Sequence, residues 1–348
     1  MRHLIILVAG LSLVCGSGLT PAQWGYIDRT GEWVIQPRFS EAGAFDSSGR
    51  ARVKFVLKEA LIDRLGAVRS DTANTYVASG FSEGLAVVQT GWNLQYGWMD
   101  TTGHVVALAV GDKAREFHCG RAWVQSHAGK WSAVDRGGYE RISDKYDAVD
   151  DFAQGFAAVG LATLIDEGDE DEPPTCDWNF GFVDTSGNDL ISPECEAVHG
   201  FTEGLAAVRR HGKWGFINQD GNTVIEPQYE DAAQFSEGLA GVRVGDKCGC
   251  ISRIGTLVIP ATYQGMRSFS EGLAPVAQDG KWGYIDTLGR LVVPMTFDDA
   301  QLFSEGLGPV RVGDKWGFID KSGKLVIPAG FLGVSDFRMG LAAATKEQ

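Results

Sequence analysis

Five glutamates recur in the same local context: Glu83, Glu203, Glu237, Glu271 and Glu305, the last four evenly spaced along the chain. Paired carboxylates can run glycoside hydrolysis, one as acid and the other as nucleophile or base. A catalytic pair occurs once in a site, whereas these repeat with a structural period, so turn and backbone hydrogen bonding is the better account of them. The histidines at 104, 118, 127, 199 and 211 share no repeat position. None stands in a Ser/His/Asp, His-Glu-x-x-His or phosphate-loop context. The sequence therefore predicts no catalytic residue and a protein that is not an enzyme.

The cysteines offer metal and redox chemistry. Cys248 and Cys250 lie in Cys-Gly-Cys, and with His118 and Cys119 they would make a zinc-like donor set. Nothing in the sequence brings the two pairs together, and small core replacements are the plainer reading of Cys248 and Cys250. Cys176 and Cys195 bracket a hairpin whose turn centres near Ser186. That spacing makes them cross-strand neighbours and disulfide candidates. Between them and the preceding strand lies the acidic run Asp166–Glu172. Its carboxylates are a weak Ca²⁺ candidate, because they lack the alternation that points ligands at one centre. A solvated loop is the expected form.

These residues sit on a periodic frame. Phe201, Phe235, Phe269, Phe303 and Phe337 recur at a constant interval, a period of about 34 residues, and the first four open Phe-Ser/Thr-Glu-Gly-Leu. A slot best filled by Trp falls on Trp24, Glu59, Tyr96, Trp131, Phe180, Trp214, Cys248, Trp282 and Trp316. Seven residues after every slot stands a glycine (31, 66, 103, 138, 187, 221, 255, 289 and 323), and four residues after it Asp appears seven times. Nine units follow, with Trp24, Trp131, Trp214, Trp282 and Trp316 as repeat-core residues. The fifth unit carries an insertion of about 15 residues, placed at 163–178.

Each unit reads as three short strands: Gly-Leu-Ala-x-Val, then Trp-Gly-Tyr-Ile-Asp, then Leu-Val-Val, ended by Pro294 in the eighth unit. Asp-x-x-Gly makes the hairpin turn between the last two, with Gly at a positive φ. A polar link returns the chain to the next unit. Trp282 and Tyr284 fall on one face and Gly283 and Ile285 on the other, so both faces are covered by stacking units. The glycine beside Trp lets a neighbouring unit approach closely. The chain opens on a second strand (Trp24 onward) and closes on a first strand (Gly340 onward), which together complete a ninth unit. The fold class is all-β, as a propeller-like ring closed by its termini or an open β-superhelix (solenoid). A unit of this length is short for a four-stranded blade.

The Lys-Trp-Gly-Phe/Tyr-Ile-Asp…Gly…Val-Ile-x-Pro units resemble the bacterial WG (KWG) repeat family over essentially all of 23–348. Glu59-Ala60, Trp131-Ser132 and Cys248 depart from its Trp-Gly pair. The resemblance implies a β-rich repeat scaffold with no general catalytic activity.

Residues 1–22 read as a signal peptide: Arg2, an apolar run from Leu4 to Val14, and cleavage after Ala22. The alternatives are a lipid anchor at Cys15, for which Val14 is a poor preceding residue, and a buried strand. A periplasmic or secreted location follows, and no other segment is apolar and long enough to span a membrane. The 31 basic and 45 acidic residues give a net charge of −14, which excludes a phosphate-binding surface and hence nucleic acid. The expected function is an exported scaffold that binds another protein, through the variable loops of units three to five: Gly91–Gln95, His127 and the acidic insertion. A carbohydrate-binding role for Trp92, Trp123 and Trp178, which lie outside the slot, is the second reading, and a cell-envelope hydrolase the third.

Overall fold

The computed structural model describes residues 23–55, 59–68, 75–91, 93–166 and 175–346. The leader 1–22 with Cys15, Trp92 and residues 167–174 of the acidic run lie outside the described residues. Nine sheets follow one another around a closed ring, a nine-bladed β-propeller. Blades are numbered here by the Trp slot they contain. Blade seven is typical, with strands Asp231–Ala232, Leu239–Val244, Lys247–Ser252 and Leu257–Tyr263 in that spatial order, all antiparallel. The polar link thus carries a fourth strand beyond the three that the sequence predicts. It is too short to show an alternation, and its brevity is how so short a unit makes a four-stranded blade. Blade two has three strands among the described residues.

The ring is closed, not open. Trp24–Ile27 pairs with Ala342–Thr345 in register Trp24↔Thr345, Gly25↔Ala344, Tyr26↔Ala343 and Ile27↔Ala342, so blade one is built from both ends of the ring. Each of the nine seams between blades holds its own buried cluster. Alternation divides each strand between two seams. Tyr284, with Trp282 at its margin, packs against blade nine, and Ile285 packs against blade seven. The side chain two residues after the slot meets the next blade's phenylalanine, as in Phe216–Phe235, Tyr284–Phe303 and Phe318–Phe337, each with ring centroids 4.9 Å apart. These residues are fully buried, whereas Trp24, Trp282 and Trp316 are half-buried at the seam margins.

The turns follow their residue types. All nine glycines seven residues after the slot have φ between 77° and 93°. In the first, Asp28 Oδ1 accepts from Thr30 N at 2.8 Å and Glu32 N at 3.1 Å, closing the turn that Gly31 allows. The Trp-Gly glycine answers to a contact within its own blade, not to a neighbouring unit. Between Trp316↔Phe331 and Phe318↔Ile327 the fourth strand bulges, and a Cβ on Gly317 would lie 2.6 Å from Ile327 O and 2.7 Å from Ala329 N. Gly25, Gly181, Gly215, Gly249 and Gly283 face the same backbone. Proline sits in this bulge on the outer edge, where no ladder donor is needed, so the strand Leu291–Phe297 runs through Pro294 instead of ending there.

Candidate functional site

The antiparallel order puts two kinds of turn at one end of a blade, which in blade eight read Ser-Glu-Gly-Leu (270–273) and Asp-x-x-Gly (286–289). The turns joining the second and third strands crowd the opposite face. The recurrent glutamates belong to the first face. Ser236 N donates to Leu239 O and Leu239 N to Ser236 O, with Glu237 at φ 54° and Gly238 at 79°, a two-residue hairpin with both central residues left-handed. Each carboxylate then reaches the next blade. Glu203 accepts from Gly238 N (3.0 Å), Glu237 from Gly272 N (2.8 Å), Glu271 from Gly306 N (3.0 Å) and Glu305 from Gly340 N (2.9 Å). Glu83 does the same to Gly120 and also pairs with Arg136 at 2.9 Å. Partial burial opposes ionisation of Glu83, yet these partners hold its carboxyl below the usual range. The glutamates are seam staples that stand one per blade, and they do not converge in pairs.

The disulfide expectation is corrected. Cys195 is buried opposite Phe180, Cys176 is exposed opposite Leu164, and both thiols are free. The pairs Val183↔Asp189, Phe182↔Ile191 and Phe180↔Cys195 contain two register shifts. The bulge uses up extra residues on one strand and leaves the cysteines four residues out of step, about 13 Å along the strand. Cys248 and Cys250 are core side chains. Cys250 lies among Leu239, Ile259 and Phe269, where burial pushes its thiol up to about 12. His118 and Cys119 belong to blade four, three blades away. Among the described residues no group of three or more His, Cys, Asp or Glu assembles to hold a metal.

Trp123 is not an exposed stacking platform. It is 1% exposed, lies flat on Phe152 at 5.2 Å and donates from Nε1 to Asp150 O at 2.9 Å. Its strand partner explains the burial. Ala133 holds the position that is Phe216 or Tyr284 in other blades, and Trp123, directly opposite, fills the vacated seam. Trp92 lies outside the described residues. Trp178 is 39% exposed and stacks on Phe180.

The variable loops do meet on one face. Asn93, Leu94 and His127 line a cleft of about 450 Å³ between blades three and four, with Gln89, Tyr96 and Val110. Leu94 holds a left-handed φ of 52°, and His127 Nδ1 lies 2.5 Å from Asp112 Oδ1. Beside it, blade five rises as an arm. Its strands Phe156–Asp166 and Thr175–Asp184 stay paired to Leu164↔Cys176 and Asp166↔Thr175, so both flanks of the expected loop at 163–178 are a hairpin. Sequence reasoning missed how charge is distributed. From 146 to 208 there are fifteen Asp and Glu and no Lys or Arg, a local −15 within a total of −14, and the rest of the chain nets +1. A running charge count along the sequence finds it.

No helix among the described residues is long and apolar enough to cross a membrane. No curated protein matches the sequence. Among solved structures, a eukaryotic initiation factor aligns with 94% of this chain and 100% of its own at 13% identity, with a TM-score of 0.57. AztD from Citrobacter koseri aligns at 13% identity over 93% and 98% of the two chains (TM-score 0.43). BamB from Moraxella catarrhalis aligns at 12% over 92% and 91% (TM-score 0.39). The first of these shares the fold. WG containing repeats match at residues 24–55, 96–131, 180–214, 214–248, 249–282, 282–316 and 316–348. They cover most of the ring, and the chain belongs to the WG containing repeat family.

Proposed function

We propose that this protein is an exported, non-catalytic scaffold that binds another protein through the face formed by blades three to five. One observation carries the reading: the variable turns between second and third strands of blades three, four and five open side by side on a single face. The 91–95 loop, His127 and the blade-five arm all arise from turns between second and third strands, and they occupy consecutive blades. Repeat proteins vary where they touch partners and stay regular where they hold themselves together. The staple role of the glutamates supports a non-catalytic reading, because these carboxylates are already engaged by backbone N–H groups. Export rests on the leader at 1–22, and N-terminal sequencing of protein from its native source tests it.

Deleting whole repeats would open the ring, so the test uses intact rings with local changes. Native-source proteins are captured on the wild-type chain, on Leu94→Asp with Val110→Asp, and on Leu288→Asp at the opposite face. A saturable partner lost with the first pair of changes and kept with the last supports the reading. A partner indifferent to both sends the search elsewhere on the ring.

A carbohydrate is the second reading, favoured by the cleft. Gln89, Asn93 and Asp112 supply planar donors and acceptors beside Tyr96, the combination that matches a sugar's hydroxyls and its apolar face. A glycan array with Tyr96→Ala as control decides it.

A further inference from the structure

The blade-five arm extends beyond the strands that flank it and leaves apolar side chains uncovered. Ladder pairs Ala162↔Trp178 and Leu164↔Cys176 put these four side chains on one face, with Leu161, Thr163, Asp177 and Asn179 on the other. Leu164 is 53% exposed, Ile165 68% and Trp178 39%. Neighbouring strands stop at its base. Ala148–Val149 reaches only Gly160 and Val159, and Asp189–Cys195 ends opposite Phe180. Asp147 Oδ2 accepts from Ala162 N at 3.0 Å and caps one edge position. A two-stranded ribbon with an uncovered apolar face is marginal in water, and its open edges are templates for another strand.

Charge selects the occupant. At the base of the acidic stretch, Asp147, Asp151 and Asp189 take their cations from blade four, as Lys130, Arg115 and Lys145, and Glu196 pairs with Arg209 of blade six. No ion pair involves the arm residues 161–165 or 176–179 among the described residues. A second copy of this chain, at −14, would be repelled. We propose that the blade-five arm docks a cationic, extended segment of another protein, its apolar side chains on Leu164 and Trp178 and its Lys or Arg side chains on the opposite face, where Asp177 lies. This rests on the reading of blades three to five as a protein-binding face and names the class of partner. A guanidinium over the open face of Trp178 would add a cation–π contact, as Arg115 makes on Trp131 and Arg267 on Trp282. Strand addition to the arm's edge would supply the backbone hydrogen bonds.

Fluorescence anisotropy with a labelled Lys-Val repeat peptide tests the proposal on the full chain, against a Glu-Val repeat and oligolysine. Two variants serve. In one, Trp178→Ala is combined with Leu164→Ser, both exposed, so that folding is spared. In the other, 162–178 is replaced by Asp-Gly, the length of the blade-eight turn at Asp279-Gly280. The expected result is saturable binding of the Lys-Val peptide, none of the Glu-Val peptide, weaker binding of oligolysine, and a loss of about tenfold or more at higher salt. The double variant loses tenfold or more and the arm replacement loses all binding. The proposal is overturned if the wild type fails to bind, if oligolysine binds as tightly, or if the folded double variant binds unchanged. A native partner captured through the cleft and indifferent to the arm would overturn the arm's role while leaving the protein-binding face standing.

Discussion

Replacing Gly317 by alanine isolates the contact that the Trp-Gly pair makes possible. Gly317 is not among the left-handed glycines, so no φ penalty enters. A Cβ there would meet Ile327 O at 2.6 Å, Ala329 N at 2.7 Å and Ala329 Cα at 2.9 Å, all backbone atoms of the bulged fourth strand. That strand must retreat by roughly 0.5–1 Å to restore van der Waals distance. The retreat loosens the pairs Trp316↔Phe331 and Phe318↔Ile327 and lifts buried Ile327 from the seam with blade one. Overpacking costs about 1–3 kcal/mol and a weakened ladder bond about 1 kcal/mol. The loss of unfolded-chain entropy returns about 0.5 kcal/mol. The net is about 2–3 kcal/mol. With about 2.1 cal/mol/K per residue over roughly 320 residues, the unfolding entropy is about 0.7 kcal/mol/K, so the melting temperature falls by about 3–4 °C. Urea and thermal unfolding followed by circular dichroism measure both numbers. Ser132→Gly is the control, because blade four already accommodates a Cβ at this position opposite a bulge that lacks proline. It should cost only glycine's added freedom, about 0.5–1 kcal/mol. Two results would refute the backbone-contact explanation. One is a Gly317→Ala stability within about 0.5 kcal/mol of wild type, the range of an ordinary surface change. The other is Ser132→Gly stabilising the chain by as much as Gly317→Ala destabilises it.

Removing 340–348 takes away the strand that closes blade one and should lower the melting temperature or split the single transition. An unchanged melting curve would sink closure. Glu271→Ala removes the seam bond to Gly306 N and the ion pair with Lys321, at a cost of about 1 kcal/mol in urea unfolding, and Glu271→Gln, which keeps an acceptor, should recover part of it. His199 stacks on Trp214 with ring centroids 4.7 Å apart while part of its surface stays exposed, and the partial desolvation lowers its pKa against the opposing pull of Asp231 and Asp150. Its folded-state value lies below the unfolded ~6.5, so its contribution is intact above that pH and is lost as pH falls through it. His199→Phe should flatten stability between about pH 7 and pH 5, and an equally steep profile in that variant would count against it. Iodoacetamide followed by mass spectrometry should label exposed Cys119 and Cys176 in the native chain, and buried Cys195, Cys248 and Cys250 only after unfolding.

The turns were the most legible part of the structure because one residue type decides each of them. Only glycine takes the left-handed φ at little cost, so the nine glycines after the slot carry the register even through the degraded units. Stacking was legible for a similar reason, since Trp282 and Ile285 fall on opposite faces of a strand by alternation alone. The bulge was not. It follows from backbone pressing on backbone at Ile-x-Pro, and a count of residues across a hairpin assumes an even ladder. That assumption misplaced the Cys176–Cys195 pair and made Pro294 a strand end. Trp123 was misread because its environment depends on another position. Ala133 opposite it leaves the seam unfilled, and the series Tyr26, Trp98, Ala133, Phe182, Phe216 shows the gap once the residue two after the slot is recognised as the seam's main filler.

The same geometry explains why the arm sits where it does. A ring must satisfy nine seams at once, and its seams draw on the Phe after the link, in most blades on the residue two past the slot, and in most blades on the glutamate staple on the hairpin face. An insertion at any of these would break a buried cluster or a staple. The turn between second and third strands touches neither. In blades six, eight and nine it is closed by His211-Gly212, Asp279-Gly280 and Gly313-Asp314, each facing solvent. Blade five extends at that point, and its strands keep the common register below Gly160↔Phe180 while the added residues form ladder pairs only with each other. Chain can be added there without cost to closure, so acidic and apolar side chains that would be intolerable in a seam can accumulate on the arm. The cleft beside Leu94 uses the same freedom in blade three, with a left-handed leucine where other blades place glycine-centred turns. On this account, swapping the blade-five arm onto the Asp279-Gly280 turn of blade eight should leave ring stability unchanged and carry peptide binding with it. Loss of folding on that transfer would mean that the arm depends on its neighbours in blades four and six, and that the ring is less modular than its period implies.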